Sequence, residues 1–354
     1  MRLLVLSGGA VREVLGYARC AEAMRTALAA RARGEVFQPL RSVIKPDGAA
    51  GFIGLMPAYQ AEAGYGLKAI CVTPSNPAAG LDAHQGIVLL SSAQTGQPLA
   101  VLNASAVTEI RTAAVSAVAT SLLARPDADV LAIIGTGVQA RAHVMALAAT
   151  RPLTQIRVAG STPAKAARFA AEVAPAALAE VSRQTAASTA PPAVSTTAPV
   201  STATEVVPCA SAAEAAAGAG IVVTATSSAV PVLERAWLAA GTHVNAVGAC
   251  LPHARELDTA TVAQAGLYAD SRESVLAESG DYLLAAAAGM VGPGHIRAEI
   301  GDLLAGQAAG HGRRDAAEIT VFESLGLAAE DLAAAVVAYE SAAELGAGTW
   351  LDFD

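Results

Sequence analysis

The hydrophobic positions of the N-terminal third form short runs separated by Gly, Pro and Asn. The runs read LLVL, GFIGLM, LKAICV and GIVLLSS, and short apolar runs bounded by such residues are typical of strands. The last run continues into AQTGQPLAVLN, where a turn around Thr95 and Gly96 would join two strands, the second ending near Asn103. The pattern therefore predicts an antiparallel sheet region.

From about Val107 to Leu123 the apolar positions take a helical spacing, and Pro126 follows the segment. Strands and helices then alternate. VLAIIG is predicted to be a strand, VQARAHVMALAAT a helix, QIRVAG a second strand and PAKAARFAAEVA a second helix, and EVVPC, IVVTAT and HVNAVG are further strands. This alternation predicts an α/β class with a doubly wound parallel sheet.

Two later segments have a different pattern. Residues 183–205 consist almost wholly of Ala, Ser, Thr, Pro and Val, and we expect a flexible, low-complexity insertion that is neither helix nor strand. Because it joins a helix to a strand, it should emerge opposite the ligand edge of the sheet and be dispensable for chemistry. Residues 331–346 are predicted to form an amphipathic helix that ends at Gly346.

Length and composition narrow the function classes. A chain of 354 residues is long enough for two domains, and its net charge of −8 without a basic block argues against a nucleic-acid partner. The four cysteines lie far apart, with neither metal-site nor disulfide spacing, so no bound metal is expected. The first apolar run has only four residues, too short for a signal peptide. We expect a cytoplasmic protein with no membrane partner.

The sequence GTGVQA at residues 135–140 follows a predicted buried strand and opens a helix. Gly135 would permit the tight turn, Gly137 would let the backbone approach a pyrophosphate, and Ala140 would allow close packing of helix on strand. The helix N-terminus adds N–H donors and a partial positive charge. A tight turn without a ligand is the alternative, but the strand–turn–helix context favours a dinucleotide site.

The end of the second strand bears on the choice of dinucleotide. An NAD-selective site usually places an acid there to accept from the ribose 2′-hydroxyl, whereas this chain has Gly160, Ser161 and Thr162 followed by Lys165 and Arg168. The two cations could accommodate a 2′-phosphate, or could simply lie on a solvated helix face. NADP(H) is therefore slightly favoured, and NAD(H) is possible.

Seven stretches together resemble the ornithine cyclodeaminase and mu-crystallin family, in the family's order and approximate spacing. They are GFIGLMPAY, GLKAI, RTAAVSAVAT, IGTGVQARAH, HVNAVGA, ESGD and ITVFESLGLAAEDLAAA. The resemblance covers nearly the whole chain except the insertion. It implies a Rossmann domain over residues 116–314 and an α+β substrate-binding and dimerisation domain built from residues 1–115 and 315–354, with a homodimer as the assembly.

The resemblance also implies site residues. Arg41, Lys68 and Arg111 match positions that hold the carboxylate of an amino or imino acid, and the proton for nitrogen would come from Lys68, Glu278 or water. A charged side chain inside an apolar run or an Ala-rich helix destabilises the fold unless it is paired. From the resemblance and the glycine motif, we expect cofactor contacts at His84, Arg111, Thr112, Gly135, Gly137, Val138, Gln139, Ser161, Thr162, Lys165, Thr224, Thr226, Val247, Gly248, Ala249 and Ser324.

One departure from the family pattern separates its branches. Ornithine cyclodeaminases carry an acid directly after the glycine that matches Gly248, and this chain has Ala249 there. The sequence is thus similar to the branch of mu-crystallin-like ketimine reductases and certain alanine dehydrogenases. It implies NAD(P)H-dependent reduction of a small cyclic or linear 2-imino acid of the ketimine or pyrroline-2-carboxylate type, or the reverse amino-acid dehydrogenation. The alternatives are an ornithine or lysine cyclodeaminase with recycled NAD and a non-catalytic NAD(P)-binding protein.

Overall fold

The structure is a computed structural model that describes residues 2–187 and 204–353. The strands in these residues are β1 (Arg2–Leu6), β2 (Val36–Phe37), β3 (Ser42–Ile44), β4 (Phe52–Gln60), β5 (Gly64–Val72), β6 (His84–Ser91), β7 (Pro98–Asn103), β8 (Val130–Ile134), β9 (Gln155–Ala159), β10 (Glu205–Pro208), β11 (Ile221–Thr224), β12 (His243–Ala246), β13 (Gly266–Ala269), β14 (Ile296–Glu299), β15 (Thr320–Glu323) and β16 (Thr349–Asp352). The α-helices are α1 (Gly8–Val14), α2 (Tyr17–Ala32), α3 (Ala104–Leu123), α4 (Val138–Thr150), α5 (Pro163–Ala187), α6 (Ala212–Ala216), α7 (Thr259–Gln264), α8 (Arg272–Glu278), α9 (Gly280–Ala287), α10 (Ile300–Leu304) and α11 (Ala328–Leu345).

The first of two compact units comprises Met1–Val115, Ile300–Gln307 and Gly326–Asp354. Its sheet has the order β16-β1-β7-β6-β5-β4-β2, with β3 also paired to β4. Strands β4 to β7 are antiparallel to one another, as predicted, and β1 differs by pairing parallel to β7. The predicted β6–β7 hairpin is confirmed, with Gly96 in its turn at φ 71°. Helix α11 packs on β4, β5 and β6.

The second unit comprises Ser116–Glu299 and Ala308–Leu325 and holds a parallel sheet of order β10-β9-β8-β11-β12-β15-β13-β14. When strands β8 to β12 are numbered 1 to 5 along the chain, their order in the sheet is 3-2-1-4-5. This is the doubly wound arrangement predicted. Every residue of β11, β12, β13 and β15 is buried, as expected for parallel strands covered on both faces. The strand order reverses between β8 and β11, and this switch point is where such sheets bind ligands.

The boundaries of the insertion need correction. Helix α5 runs through Pro175 to Ala187, so residues 183–187 are helical, and Glu205 already begins β10. An established helix extends at little cost because its nucleus is already formed, and the alanines there favour the helix. Residues 188–203, the middle of the predicted insertion, lie outside the described residues.

The C-terminal segment also differs from its predicted limits. Residues 315–354 were expected in the substrate-binding domain, but β15 pairs between β12 and β13, so the first unit resumes at Gly326. The four buried residues of β15 suit a central parallel strand. Helix α11 begins at Ala328 rather than at Asp331, and it ends at Gly346 as predicted, with φ 66°.

Helix α3 is the one helix in the described residues that is long and apolar enough to cross a membrane. In this structure 83% of its most apolar window is buried within the protein. Its buried length also carries two charged residues, Glu109 and Arg111, that form ion pairs. These features are typical of the core helix of a folded domain.

Candidate active site

Lys68 lies in the middle of β5, opposite Met56 on β4 and Val88 on β6. All three side chains are buried, and only 3% of Lys68 is exposed. The lysine Nζ is 2.7 Å from Asp331 Oδ2 and donates to Thr108 Oγ1 at 3.5 Å. The strand therefore presents an ammonium group in an apolar surrounding, with a carboxylate of α11 as its counter-ion.

The side chain of Arg111 on α3 contacts the first turn of α11, where Asp331 also lies. Its Nη1 is 2.8 Å from Glu330 Oε2 and its Nε is 2.9 Å from Asp331 Oδ1. Both acids lie in the first turn of α11, where negative charge is favoured by the helix dipole. Glu330 also accepts from the backbone N–H of Leu327 at 3.1 Å. Asp331 thus bridges Lys68 and Arg111 with its two oxygens.

Arg41 joins this group from the loop before β3. Its Nη2 donates to the carbonyl oxygen of Gly326 at 3.2 Å. Gly326 has φ +84°, and a Cβ added there would lie 2.7 Å from Arg111 Nη1. The three predicted cations therefore converge at the start of α11. Together with Glu330 and Asp331, the five side chains form what we call the cation cluster, which carries three positive and two negative charges.

The electrostatics of the cation cluster favour a charged but titratable lysine. Burial lowers the pKa of Lys68 to about 8, and the neighbouring Asp331 carboxylate opposes that shift. Burial alone would raise the pKa of Asp331, but the charges of Lys68 and Arg111 outweigh it and the pKa is lowered. Lys68 can therefore hold a carboxylate as a cation near neutral pH and can also give up a proton.

Two further residues of the first unit were predicted to contact the cofactor, His84 and Thr112. His84 begins β6, and its carbonyl accepts from the hydroxyl of Ser105. Desolvation of the ring and the positive charge of Lys68 lower the pKa of His84. Thr112 follows Arg111 on α3 and is buried. The cofactor contacts assigned to His84, Arg111 and Thr112 stay predictions.

The glycine turn of the second unit has the geometry expected of a phosphate cradle. Gly135 has φ +132°, and a Cβ there would lie 2.3 Å from the carbonyl oxygen of Ala225. Gly137 is the N-cap of α4, and nothing lies within 4 Å of a Cβ added to it. Ala140 is completely buried between helix and strand. The turn thus needs glycine at its first position and leaves open space at its second, which fits a bound pyrophosphate.

Residues around the cradle are arranged in two further groups. Val138 is exposed at the start of α4 and Gln139 is half-buried beside it. After β9, Ser161, Thr162 and Lys165 are all exposed. Lys165 donates through Nζ to Ser161 Oγ at 3.1 Å and through its backbone N–H to Thr162 Oγ1 at 3.3 Å. A hydroxyl and an ammonium therefore stand where an NAD-selective site has an acid.

The remaining predicted contacts lie at or just after the carboxyl ends of β11, β12 and β15, which are neighbours in the sheet. The residues are Thr224, Thr226, Val247, Gly248, Ala249 and Ser324. Val247 N–H donates to Thr224 O and Ser324 N–H donates to Ala246 O, each at 3.0 Å. The buried hydroxyl of Ser324 has no hydrogen-bond partner among the described residues. An orphaned hydroxyl at the ligand edge fits a bound polar group.

Glu278, the predicted alternative proton donor, lies in the second unit at the end of α8 with a half-buried side chain. The contacts described above join Arg41, Lys68 and Arg111 to one another in the first unit, and the role of Glu278 stays a prediction. Within residues 2–187 and 204–353, no group of three His, Cys, Asp or Glu side chains could hold a metal ion.

Sequence reasoning missed three acids that the structure places at these sites. Glu330 and Asp331 balance the cation cluster, and Glu256 accepts the backbone N–H groups of Thr226 at 2.6 Å and Gly248 at 2.7 Å. The available signal was charge balance, because cations assigned to buried segments require buried anions. Glu330 and Asp331, two adjacent acids at the start of the Ala-rich helix α11, were the candidates.

Comparison with known proteins gives consistent matches. A family model, the ornithine cyclodeaminase/mu-crystallin family, matches residues 2–206 and 188–346. The ketimine reductase mu-crystallin of Mus musculus is 37% identical over 309 residues, which cover 87% of this chain and 86% of the relative. A Δ(1)-pyrroline-2-carboxylate reductase of Bacillus cereus is 37% identical over 289 residues, covering 81% of this chain and 80% of the relative.

Solved structures match over nearly the full chain. Thermococcus litoralis Δ(1)-pyrroline-2-carboxylate reductase, in complex with NADH and L-proline, has a TM-score of 0.86 at 34% identity, with 98% of this chain and 99% of that chain covered. An archaeal alanine dehydrogenase dimer with bound NAD has a TM-score of 0.84 at 29% identity and full coverage of both chains. A lysine cyclodeaminase has a TM-score of 0.79 at 31% identity, covering 100% of this chain and 96% of that chain. By sequence and by fold, the chain belongs to the ornithine cyclodeaminase/mu-crystallin family.

Proposed function

We propose that this protein is an NAD(P)H-dependent reductase of a small cyclic or linear 2-imino acid, of the ketimine or pyrroline-2-carboxylate type, which can also run as the amino-acid dehydrogenase. The observation that carries the proposal is the cation cluster, in which three cations face two carboxylates. One substrate carboxylate would neutralise the excess charge. The reductases among the relatives named above, one of them solved with NADH and L-proline, support the same reaction.

In this proposal the cations of the first unit hold the substrate. The guanidinium groups of Arg41 and Arg111 are suited to grip a carboxylate, because a planar fork can donate two parallel hydrogen bonds. The ammonium of Lys68 has three N–H groups, of which one faces Asp331 and one faces Thr108. It can donate the third to substrate. Lys68 and Arg111 are buried with their two acids, which keeps water from them and strengthens their interactions, whereas Arg41 is half-buried.

The chemistry adds one hydride and one proton across the C=N bond. The cradle of Gly135 and Gly137 would hold the dinucleotide, whose reduced nicotinamide would supply the hydride to the carbon. The imine nitrogen takes the proton, either from Lys68, whose pKa of about 8 suits transfer near neutral pH, or from Glu278 or water. In the reverse direction the same group accepts the proton from the amine.

We propose that NADP(H) is favoured slightly over NAD(H). Lys165 and Ser161 stand at the end of β9, and Lys165 can donate to a 2′-phosphate. Arg168 contributes less because its Nε is 3.8 Å from Glu172 Oε1. The preference is modest since both groups are exposed and screened by water.

Cyclodeamination is the alternative within the same family, and a relative of that activity matches the fold. The position after Gly248 holds Ala249, which is buried and cannot move a proton. The nearby acid Glu256 uses both carboxylate oxygens to accept backbone N–H groups. We therefore favour reduction. A binding protein without catalysis would have no need of the complete cation cluster.

We also propose a cytoplasmic homodimer that acts on small molecules, without nucleic-acid or membrane partners. The sheet of the first unit exposes Phe37 on β2 and Val43 and Ile44 on β3. A second copy would cover such apolar side chains, and an alanine dehydrogenase of the same fold is a dimer. Light scattering coupled to size exclusion measures the assembly, and a monomer at micromolar concentration would contradict the proposal.

The test of the function is a substrate panel. Purified protein is given NADPH or NADH with Δ1-pyrroline-2-carboxylate, Δ1-piperideine-2-carboxylate or pyruvate plus ammonia, and loss of nicotinamide absorbance is followed. A second reaction supplies ornithine or lysine with NAD and measures released ammonia. Cofactor oxidation with at least one imino acid is expected. Ammonia release from ornithine without net cofactor turnover would replace the proposal by cyclodeamination.

A further inference from the structure

Four carboxylates among the described residues of the second unit are buried, and the proposed reaction uses none of them. Glu256, Asp270, Asp281 and Glu323 are each at most 1% exposed. Among the described residues, Glu256 is the one of these four that accepts from the loops after both β11 and β12. It lies between β12 and α7, two residues before the α7 N-cap, Asp258.

The Glu256 carboxylate ties two neighbouring loops together. Its Oε1 accepts from Thr226 N–H at 2.6 Å and its Oε2 from Gly248 N–H at 2.7 Å. The last residues of β11 and β12, Thr224 and Ala246, are register partners. Thr226 and Gly248 therefore occupy equivalent places, each two residues beyond its strand, and one carboxylate sets the distance between them.

The packing around this link leaves little freedom. A Cβ added at Gly248 would lie 2.3 Å from Thr226 O and 2.6 Å from Glu256 Oε2. The backbone of Glu256 is itself held, because its N–H donates to Asp281 Oδ1 at 2.9 Å and its carbonyl accepts from Val232 at 2.7 Å. A small displacement of Glu256 must therefore move both loops.

The position of the link points to one half of the dinucleotide. In a doubly wound sheet the pyrophosphate lies on the first βα turn, here the glycine cradle after β8, and the adenosine ribose reaches the end of the second strand, here β9. The nicotinamide half then extends over the opposite side of the switch point, where β11 and β12 end. Glu256 binds the loops that follow these two strands.

We propose that Glu256 is a positioning residue for the nicotinamide half of the cofactor, because its carboxylate holds the loops after β11 and β12 at the spacing that this half requires. The inference rests on the proposed function. It assigns Glu256 no contact with substrate and no proton transfer. Burial raises the pKa of Glu256, and hydrogen bonds from the side chain and backbone N–H of Thr226 and from the backbone N–H of Gly248 oppose the shift.

The test compares two ligands on two variants. In Glu256→Gln the amide nitrogen would face a backbone N–H, donor against donor, and one loop would lose its link. The control is Glu234→Gln, which changes an exposed glutamate of the same unit. Binding of NADPH and of 2′-phospho-ADP-ribose, which lacks the nicotinamide, is measured by calorimetry, and folding by circular dichroism.

We expect Glu256→Gln to weaken NADPH binding by roughly ten- to a hundredfold, the usual effect of losing a charge-assisted hydrogen bond. Its affinity for 2′-phospho-ADP-ribose should equal that of wild type and of Glu234→Gln. Equal loss for both ligands would mean a general structural role and would overturn the inference, as would unchanged NADPH affinity. If wild type bound no dinucleotide, the proposed function itself would fail.

A second variant keeps the test decisive if Glu256→Gln does not fold. Gly248→Ala keeps the glutamate side chain but places a Cβ 2.3 Å from Thr226 O and 2.6 Å from Glu256 Oε2, so the loops must move apart. The same selective loss of nicotinamide affinity is expected, with 2′-phospho-ADP-ribose binding retained. Wild-type NADPH affinity in Gly248→Ala would show that the spacing of the two loops is unimportant and would overturn the inference.

Discussion

Lys68 Nζ lies 2.7 Å from Asp331 Oδ2, and both side chains are almost completely buried. Burial lowers the pKa of Lys68 to about 8, and the Asp331 charge is the main influence that keeps it from falling further. The pair therefore sets the pH range in which Lys68 is a cation. Within that range Lys68 can add its charge to those of Arg41 and Arg111 in holding a substrate carboxylate.

We predict that Asp331→Asn moves the alkaline limb of the activity profile to lower pH. Wild-type kcat/KM for the imino acid should fall as pH rises through about 8, when Lys68 loses its proton. Removing the Asp331 charge lowers the pKa of Lys68, so the fall begins earlier. The profile of kcat/KM against pH measures it, and Glu344→Gln, an exposed acid of the same helix, is the control. Coincident profiles for Asp331→Asn and wild type would contradict the assignment.

Lys68→Met should lose imine reduction and keep cofactor affinity. The methionine retains an apolar stem between Met56 and Val88, but the carboxylate loses one charged partner. We expect kcat/KM to fall roughly ten- to a hundredfold, and further if Lys68 also delivers the proton. Steady-state kinetics and NADPH titration measure the two effects separately.

A double variant separates the loss of the site from a loss of folding. Lys68→Met leaves Asp331 with Arg111 as its remaining ion-pair partner in the cluster, and a buried charge deprived of a partner destabilises the fold. Lys68→Met combined with Asp331→Asn should recover thermal stability without recovering activity. Wild-type reduction by the single variant would remove Lys68 from the site.

Substitutions at the two glycines of the cradle should have different effects on stability and on cofactor binding. Gly137→Val places a side chain in open space at the α4 N-cap, so the melting temperature should be near wild type while binding of NADPH and NADH is abolished. Gly135→Ala strains a residue at φ +132° and drives its Cβ toward Ala225 O, so it should lower the melting temperature. Calorimetry and thermal unfolding distinguish the two. Unchanged cofactor affinity in Gly137→Val would refute the cradle.

Cofactor preference should depend on Lys165 and Ser161. NADPH is expected to bind more tightly than NADH by a modest margin, and Lys165→Ala should narrow that margin by removing the cation beside Ser161. Ser161→Asp should reverse it, because an acid there accepts from a ribose 2′-hydroxyl and repels a 2′-phosphate. Arg168→Ala is the matched control, since Arg168 pairs with Glu172. A clear NADH preference of wild type would show the proposal to be wrong.

The glycine turn was predictable from sequence because its requirements are local. Glycine is required at Gly135 by the backbone conformation and at Gly137 by the space that a ligand needs, and both requirements arise within one strand–turn–helix unit. The alternation of strands and helices predicts the doubly wound sheet around them. The substrate cations were assigned through resemblance. The sequence and the resemblance identified these three cations, but they did not identify the side chains that contact them.

The rest depends on contacts between distant parts of the chain. Lys68 and Arg111 meet Asp331 across more than two hundred residues, and no local pattern encodes that pairing. The same holds for β15, which follows an interruption of the second unit and inserts between β12 and β13. Helix α5 is longer than the predicted segment PAKAARFAAEVA, because the helix continues on both sides of Pro175.

The central claim is that hydride passes between a nicotinamide and the C2 carbon of an imino acid, and isotope transfer tests it most directly. NADPH carrying deuterium at nicotinamide C4, on either face in separate reactions, is supplied with Δ1-pyrroline-2-carboxylate, and the amino acid formed is examined by mass spectrometry and NMR. One deuterium at C2 of the product, from one of the two faces and with one cofactor oxidised per product, is expected. Product formed without deuterium from either face, or product formed only from ornithine with ammonia release and no net cofactor oxidation, would contradict the account.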